Sequence, residues 1–220
     1  MTTILDAMHE RHSVRRFTNQ PITGEVLAAL QAEISAINAE SGLDIRLVTD
    51  DPHTFSSVIA KVRFSGTRNF IVLAGKDSPG LDEVAGYYGE RVVLKAQQLG
   101  LNTCWAGMIS GKKYANKLPK DERIVIVIVV GYGVSQGEPH QGKPMDALCK
   151  VDGPMPDWFR AGMEAAMLAP TALNQQRFHF TLAGDTVLAE SSEGSLAELC
   201  LGIAKYHFEL GAGKDNFQWA

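Results

Sequence analysis

The chain has 220 residues, 45% hydrophobic and 21% charged, with a formal net charge of −4. That balance excludes collagen-like and disordered classes, and a chain of this length buries enough surface to need no disulfide or metal staple. Its acidic excess speaks against a nucleic-acid partner or an anionic-membrane surface.

In chain order, residues 3–9 read as a short helix. Pro21, Ile22 and Thr23 open a second helix, with Val26, Leu27, Leu30, Ile34 and Ile37 at helical spacing and Gly42 as its C-terminal stop. Ile45, Leu47 and Val48 make a short strand, and 69–75 another. Residues 80–99 form a long helix with Val84, Tyr88, Val92 and Ala96 on one face, stopped by Gly100. The unbroken β-branched run 124–130 predicts a strand buried on both faces at the centre of a sheet. Residues 131–153, rich in Gly and Pro, read as a long functional loop. A helix over 156–168 stops before Pro170. Strands follow over 178–182 and 186–189, joined by a Gly184-Asp185 turn, and a helix over 196–210 ends the series. With no regular βαβ alternation, the expected fold class is α+β, in a single domain over 1–220. Residues 22–51 and 155–184 share a layout: proline, apolar helix, polar turn, alternating strand. Coincidence and a degenerate duplication are the two readings of that likeness.

Four segments could carry chemistry. Arg11, His12, Ser13, Val14, Arg15, Arg16 and Phe17 make a compact anion site, since guanidinium groups bind phosphate bidentately. In an extended chain Arg11, Ser13 and Arg15 share one side, with Val14 and Arg16 on the other. The alternative is a solvated basic patch. The second segment holds Asn102, Thr103, Cys104, Trp105, Ala106, Gly107 and Met108, where Gly107 lets backbone approach a flat ligand. Sequence places no base beside Cys104, so it is no evident nucleophile, and a buried structural Cys–Trp turn is the alternative. The third, Ala169 to Phe178, delivers Thr171, Asn174 and Gln176 after a proline-terminated helix. The Asn174 and Gln176 amides, which both donate and accept, suit the uracil-like edge of a flavin; the alternative is a capping turn. The fourth, Gly131, Gly133 and Gly137, imitates a dinucleotide fingerprint, but Pro139 and Pro144 forbid the helix that should follow. Lys143 beyond it is either a phosphate partner or a surface lysine.

Other classes find no support. The six histidines and three cysteines show no metal spacing. There is no GxSxG elbow and no GxxxxGK[ST] loop. No apolar run approaches the ~18 residues of a membrane span, and no signal peptide is expected. Cys104, Cys149 and Cys200, without a CxxC pair, are expected as free thiols in a cytoplasmic protein.

Taken together, the segments resemble the FMN-dependent nitroreductase and flavin reductase family. Arg11, Ser13, Arg15 and Phe17 match its Arg-x-Ser-x-Arg-x-Phe signature. Ala169, Pro170, Thr171, Asn174 and Gln176 match its APSxxNxQPW turn, with Arg177 and Phe178 where Pro and Trp are usual. Val130, Gly131 and Tyr132 resemble the end of its Gly-Tyr strand. The resemblance implies a central sheet flanked by helices, FMN as cofactor, NAD(P)H as electron donor and a small organic acceptor in a ping-pong exchange. It implies that Arg11, His12, Ser13 and Lys143 hold the phosphate and ribityl chain, and that Arg15 lies toward N1 and the C2 carbonyl. Backbone at Ala106 and Gly107 would address N5, with Cys104, Trp105 and Met108 nearby. Pro170, Thr171, Asn174 and Gln176 would line the ring; no side-chain acid or base is implied. A flavin-binding protein without turnover, or another flavin reaction such as desaturation, dehalogenation or flavin breakdown, is the alternative on the same scaffold. The loops 50–68 and 133–153 are expected to cover the acceptor.

One departure stands out. Ordinary members carry the APSxxNxQPW turn early, where it reaches a partner's flavin in a homodimer. Here it is displaced toward the C-terminus, as in a divergent nitroreductase subfamily. The expectation is an internal pseudo-dimer able to act as a monomer, with a homodimer as the alternative.

Overall fold

The computed structural model describes residues 2–51, 58–107, 114 and 118–220, the side chains of 58, 59 and 61 excepted. The chain divides into two units, Met1–Leu81 with Arg91–Pro139, and Asp82–Glu90 with His140–Ala220.

In the first unit α1 (Ile4–Glu10) starts from a capping box. The Thr3 hydroxyl accepts from the Asp6 N–H at 3.1 Å, and the Asp6 carboxylate accepts from the Thr3 N–H at 3.0 Å. Helix α2 (Gly24–Ser41) ends at Gly42, whose φ of 72° is the left-handed turn a glycine stop supplies. The Asn38 side chain then bonds both the N–H and the carbonyl of Ile45 at 2.9 Å, aiming the chain into β1 (Asp44–Val48). A short helix, α3 (Val58–Arg63), lies within the expected loop 50–68, of which 52–57 fall outside the described residues. Strands β2 (Phe70–Lys76), β3 (Asn102–Trp105) and β4 (Glu122–Gly131) complete an antiparallel sheet of order β1-β2-β4-β3. The β-branched run thus sits inside the sheet as expected. Residues 126–131 of β4 and 70–75 of β2 are buried continuously, which is why their sequences do not alternate. Val14 and Phe17 enter a core cluster with Phe70, Val72, Ala106, Val127 and Val129.

The second unit is built on a sheet of order β5-β6-β7-β8. Strand β5 (Cys149–Val151) runs parallel to β6 (Phe178–Ala183), and β7 (Thr186–Ser191) returns antiparallel through Gly184, whose φ is 65°. Strand β8 (Gln218–Trp219) pairs parallel with β7. Helices α5 (Asp157–Met167) and α6 (Ala197–Ala212) pack together over an aromatic core. Phe180 stacks on Phe208 at 4.9 Å between centroids, and Phe159 meets Phe208 edge-on at 5.4 Å. At its margin the Tyr87 hydroxyl donates to Glu209 at 2.5 Å while Lys214 donates to Tyr87 at 3.1 Å. Burial, and then the Glu209 bond, push the Tyr87 phenol up to about 12.

Helix α4 (Leu81–Gln98) contributes its first turns, Asp82–Glu90, to the second unit and the remainder to the first. Its buried face departs from the sequence reading. Val92 and Ala96 are buried, but Val84 is 39% exposed, and the early turns bury Ala85, Gly86, Gly89 and Glu90 instead. The reason is close backbone approach. A Cβ at Gly86 would overlap the Leu199 carbonyl, so this face is chosen by smallness rather than by hydropathy. Helices and two sheets without regular βαβ alternation make the expected α+β fold. The order helix, strand, antiparallel strand, helix occurs as α2-β1-β2-α4, interrupted by α3, and recurs as α5-β6-β7-α6.

Candidate functional site

In the first unit residues 13–18 run extended, held from both sides. Val14 N–H donates to Thr103 O at 3.0 Å, along the edge of β3. Phe17 N–H donates to Ser65 O at 2.9 Å, and Thr18 N–H to Tyr132 O at 2.8 Å. Arg11, Ser13 and Arg15 all act on the Cys104 thiol. Burial pushes its thiol up; the Arg15 guanidinium, a Ser13 hydrogen bond and the Arg11 guanidinium pull the other way. The protonated thiol lies 3.6 Å from the Trp105 carbonyl, which accepts from it. A buried, protonated sulfur is a wall of the site rather than a nucleophile. Arg11 is buried, while the exposed side chains of Arg15 and Arg16 make no ion pair or hydrogen bond to a described residue. His12 Nδ1 is buried with no hydrogen-bond partner among the described residues. The alternation of Arg11, Ser13 and Arg15 breaks at Phe17, which joins Val14 in the core.

The backbone at the end of β3 is partly committed. Ala106 N–H donates to Val127 O at 2.8 Å, so it is engaged within the sheet, and Gly107 is the exposed turn residue after it. Trp105 is half-buried; Met108 lies outside the described residues. One residue of the second segment has a role that the sequence reading did not assign. Asn102, buried, accepts from Gly133 N–H at 2.9 Å and donates to Gln136 Oε1 at 2.9 Å, fastening loop 133–136 to β3. Its only trace in sequence is the spacing of Gly133 and Gly137. A Cβ on Gly133 would lie 2.6 Å from Asn102 Oδ1, and one on Gly137 2.8 Å from the His12 Cβ. These glycines permit packing against the basic segment and make no dinucleotide loop.

In the second unit Thr171 to Gln176 form a tight turn after α5. Its backbone is strained: φ is 52° at Leu173, 55° at Asn174 and 43° at Gln176, all left-handed and none glycine. Gln176 is 1% exposed, and its amide oxygen, amide nitrogen and backbone N–H each make a hydrogen bond. Its Oε1 accepts from Lys143 N–H at 2.5 Å, its Nε2 donates to Met167 O at 3.3 Å, and its own N–H donates to Thr171 Oγ1 at 3.0 Å. The Lys143 ammonium donates to Gln176 O at 3.2 Å. Asn174, exposed, donates through Nδ2 to Gln141 O at 2.7 Å. Pro170 is half-buried, and Leu173 projects at the tip, 82% exposed. Arg177, standing where the family pattern has proline, donates to Gln175 Oε1 at 2.8 Å and to the Glu193 carbonyl, so it ties the turn to the loop before α6.

Among the described residues no helix is long and apolar enough to cross a membrane. No curated protein is significantly similar in sequence. Among solved structures, a "putative nitroreductase" from Thermotoga maritima aligns over 97% of this chain and 85% of its own, with 21% identity and a TM-score of 0.65. One from Desulfovibrio desulfuricans, solved in complex with FMN, aligns over 71% of this chain and 99% of its own, with 18% identity and a TM-score of 0.55. A nitroreductase family protein from Streptococcus pneumoniae aligns over 66% and 98%, with 14% identity and a TM-score of 0.54. At these identities the likeness is one of fold. The family model described as "Putative TM nitroreductase" matches residues 3–212, and the chain belongs to that nitroreductase family.

Proposed function

We propose that this member of the family is an FMN-dependent NAD(P)H oxidoreductase that reduces a small organic acceptor, donor and acceptor taking turns at one site. The observation that carries the reading is the extended basic segment, bridged to β3 at Ser13 and Thr103, with Arg11 and Arg15 both acting on the neighbouring Cys104. Arg15, exposed and without an acidic partner among the described residues, is available to an anionic ligand. Ser13 adds a hydroxyl, and His12 Nδ1 is a buried polar atom with no hydrogen-bond partner among the described residues. That donor set fits a flat ligand carrying a phosphate. The FMN complex of the Desulfovibrio protein, on the same fold, supports the same ligand.

FMN, when bound, supplies hydride acceptance and release. The chain's own part is orientation and electrostatics. Arg11, His12 and Ser13 would hold the phosphate and ribityl chain. Arg15 would favour negative charge on the pyrimidine edge of the ring and so raise the reduction potential. Gly107 would let the ring approach the backbone, and Trp105 would pack beside it. Three buried free thiols and no described membrane-spanning helix accord with a cytoplasmic setting.

The test is a pair of variants assayed for FMN affinity and for potential. Arg15→Ala is expected to lower the two-electron midpoint potential by about 30 mV, the equivalent of ~1.4 kcal/mol, and to slow flavin reduction by NAD(P)H. Arg11→Ala, checked for folding by circular dichroism, is expected mainly to weaken FMN binding, by about tenfold or more for a charge-assisted contact. Equal potentials in wild type and Arg15→Ala would remove the role given to Arg15.

A further inference from the structure

The chain segments that meet along residues 13–18 carry charge of one sign. Residues 11–24, 62–75 and 131–137 hold Arg11, Arg15, Arg16, Arg63 and Arg68 and no Asp or Glu, in a chain whose net charge is −4. The backbone makes these segments neighbours. Arg16 and Ser65 form a parallel bridge, closed by the Phe17 N–H on Ser65 O at 2.9 Å and the Ser65 N–H on Arg15 O at 3.0 Å, and the Val134 N–H donates to Arg16 O at 2.9 Å. Two acids that follow β1 are nearby in the same unit, and both are engaged: Asp50 with Arg68 at 2.8 Å, Asp51 with the Tyr114 hydroxyl at 2.5 Å.

The flavin reading gives no part to Arg16 or Arg63. Both side chains are exposed and make no ion pair or hydrogen bond to a described residue, while Arg46, Arg91 and Arg123 of the same unit are each ion-paired. Residues paired across a bridge project to the same side, so Ser65, also exposed, offers its hydroxyl beside Arg16. Val134, 65% exposed, adds apolar surface next to it. A guanidinium without a carboxylate partner binds a phosphate monoester bidentately. The hydroxyl is a further donor to it, and the apolar side chain is a seat for a purine ring.

We propose that Arg16, with Ser65 and Arg63, receives the 2′-phosphate of NADPH, and that this makes NADPH rather than NADH the electron donor. The inference rests on the oxidoreductase reading above and narrows its donor to one of two. NADH has a hydroxyl where NADPH carries that phosphate, so an unpaired positive charge separates them. The contact is made at the adenosine end of the donor, away from the hydride. It acts on donor binding and not on the chemical step.

Flavin-loaded wild type is expected to use NADPH with a kcat/KM about tenfold or more above that for NADH. Arg16→Ala is expected to lower that ratio about tenfold, through the KM for NADPH, and Arg63→Ala about threefold. Equal kcat/KM for the two donors in wild type, or a ratio untouched by Arg16→Ala, would overturn the proposal. So would a loss of FMN affinity in Arg16→Ala that riboflavin, which lacks the phosphate, does not share, since the guanidinium would then serve the flavin phosphate. If wild type oxidises neither donor, the functional reading fails, and calorimetric titration with 2′,5′-ADP and 5′-AMP still reads the site, because only the first carries the 2′-phosphate. Tighter binding of 2′,5′-ADP, lost in Arg16→Ala, is the expected result; equal affinity for the two nucleotides would overturn the proposal.

Discussion

Gly202→Ala is expected to destabilise the protein by about 3 kcal/mol or more, beyond the usual cost of an extra methyl in a packed core. A Cβ at Gly202 would overlap the Glu83 carbonyl and come within 2.8 Å of the Tyr87 nitrogen, while one at Gly86 would overlap the Leu199 carbonyl. The first turns of α4 and the helix α6 thus meet backbone to backbone, each through a glycine. No rotamer change can relieve such an overlap; the helices must separate and lose the packing around them. In a chain of this size that corresponds to a melting temperature lower by about 10 °C. Gly24→Ala is the contrast: no atom lies within 4 Å of its added Cβ, and only the φ of 60° opposes it, a cost of about 1 kcal/mol. Thermal melts of the two variants by circular dichroism compare them directly, and equal losses would contradict the backbone crossing.

The second large effect belongs to Glu90 and His207, both wholly buried. His207 Nδ1 faces the Ala165 carbonyl at 3.1 Å, and Nε2 faces Glu90 Oε1 at 3.0 Å. Because the carbonyl only accepts, Nδ1 carries a proton, and a further proton is shared between Nε2 and the carboxyl. The pair links α4, α5 and α6. Glu90→Ala takes the carboxyl away from a buried imidazole, an expected loss of about 3–5 kcal/mol, and His207→Ala removes one of the contacts of the buried Glu90, an expected loss of about 2–3 kcal/mol. Replacing both by apolar residues, Glu90→Met with His207→Leu, is expected to cost much less than the two single losses added together. Urea unfolding of the singles and the double measures this; a double variant as unstable as the sum would show that the two groups do not act as a pair.

Much of this architecture is written in periodicity. Leu30, Ile34 and Ile37 mark the buried stripe of α2, and the run from Ile124 to Val130 marks a strand inside a sheet, because burial on one face or on both leaves a simple pattern. Strands β3, β5 and β8, of four, three and two residues, are too short to carry one. The buried face of early α4 was hidden for another reason: glycines and a glutamate form it, and hydropathy reads both as surface. In the candidate site, the shared side of Arg11, Ser13 and Arg15 follows from strand alternation alone. The inward commitment of Gln176 does not. Its partners Lys143 and Met167 are tertiary neighbours, and no local rule ties an amide to a backbone N–H 33 residues earlier. The role of Asn102 was illegible likewise, since its work is to hold a loop that the sequence marks only by glycines.

The most direct test of the flavin reading is a titration of the purified, flavin-free protein with FMN, followed by absorbance and fluorescence. The account predicts saturable binding of one equivalent per chain, with quenched flavin fluorescence and a clear loss of affinity in Arg11→Ala. Folded protein that leaves the FMN spectrum and fluorescence unchanged up to high concentration would contradict it.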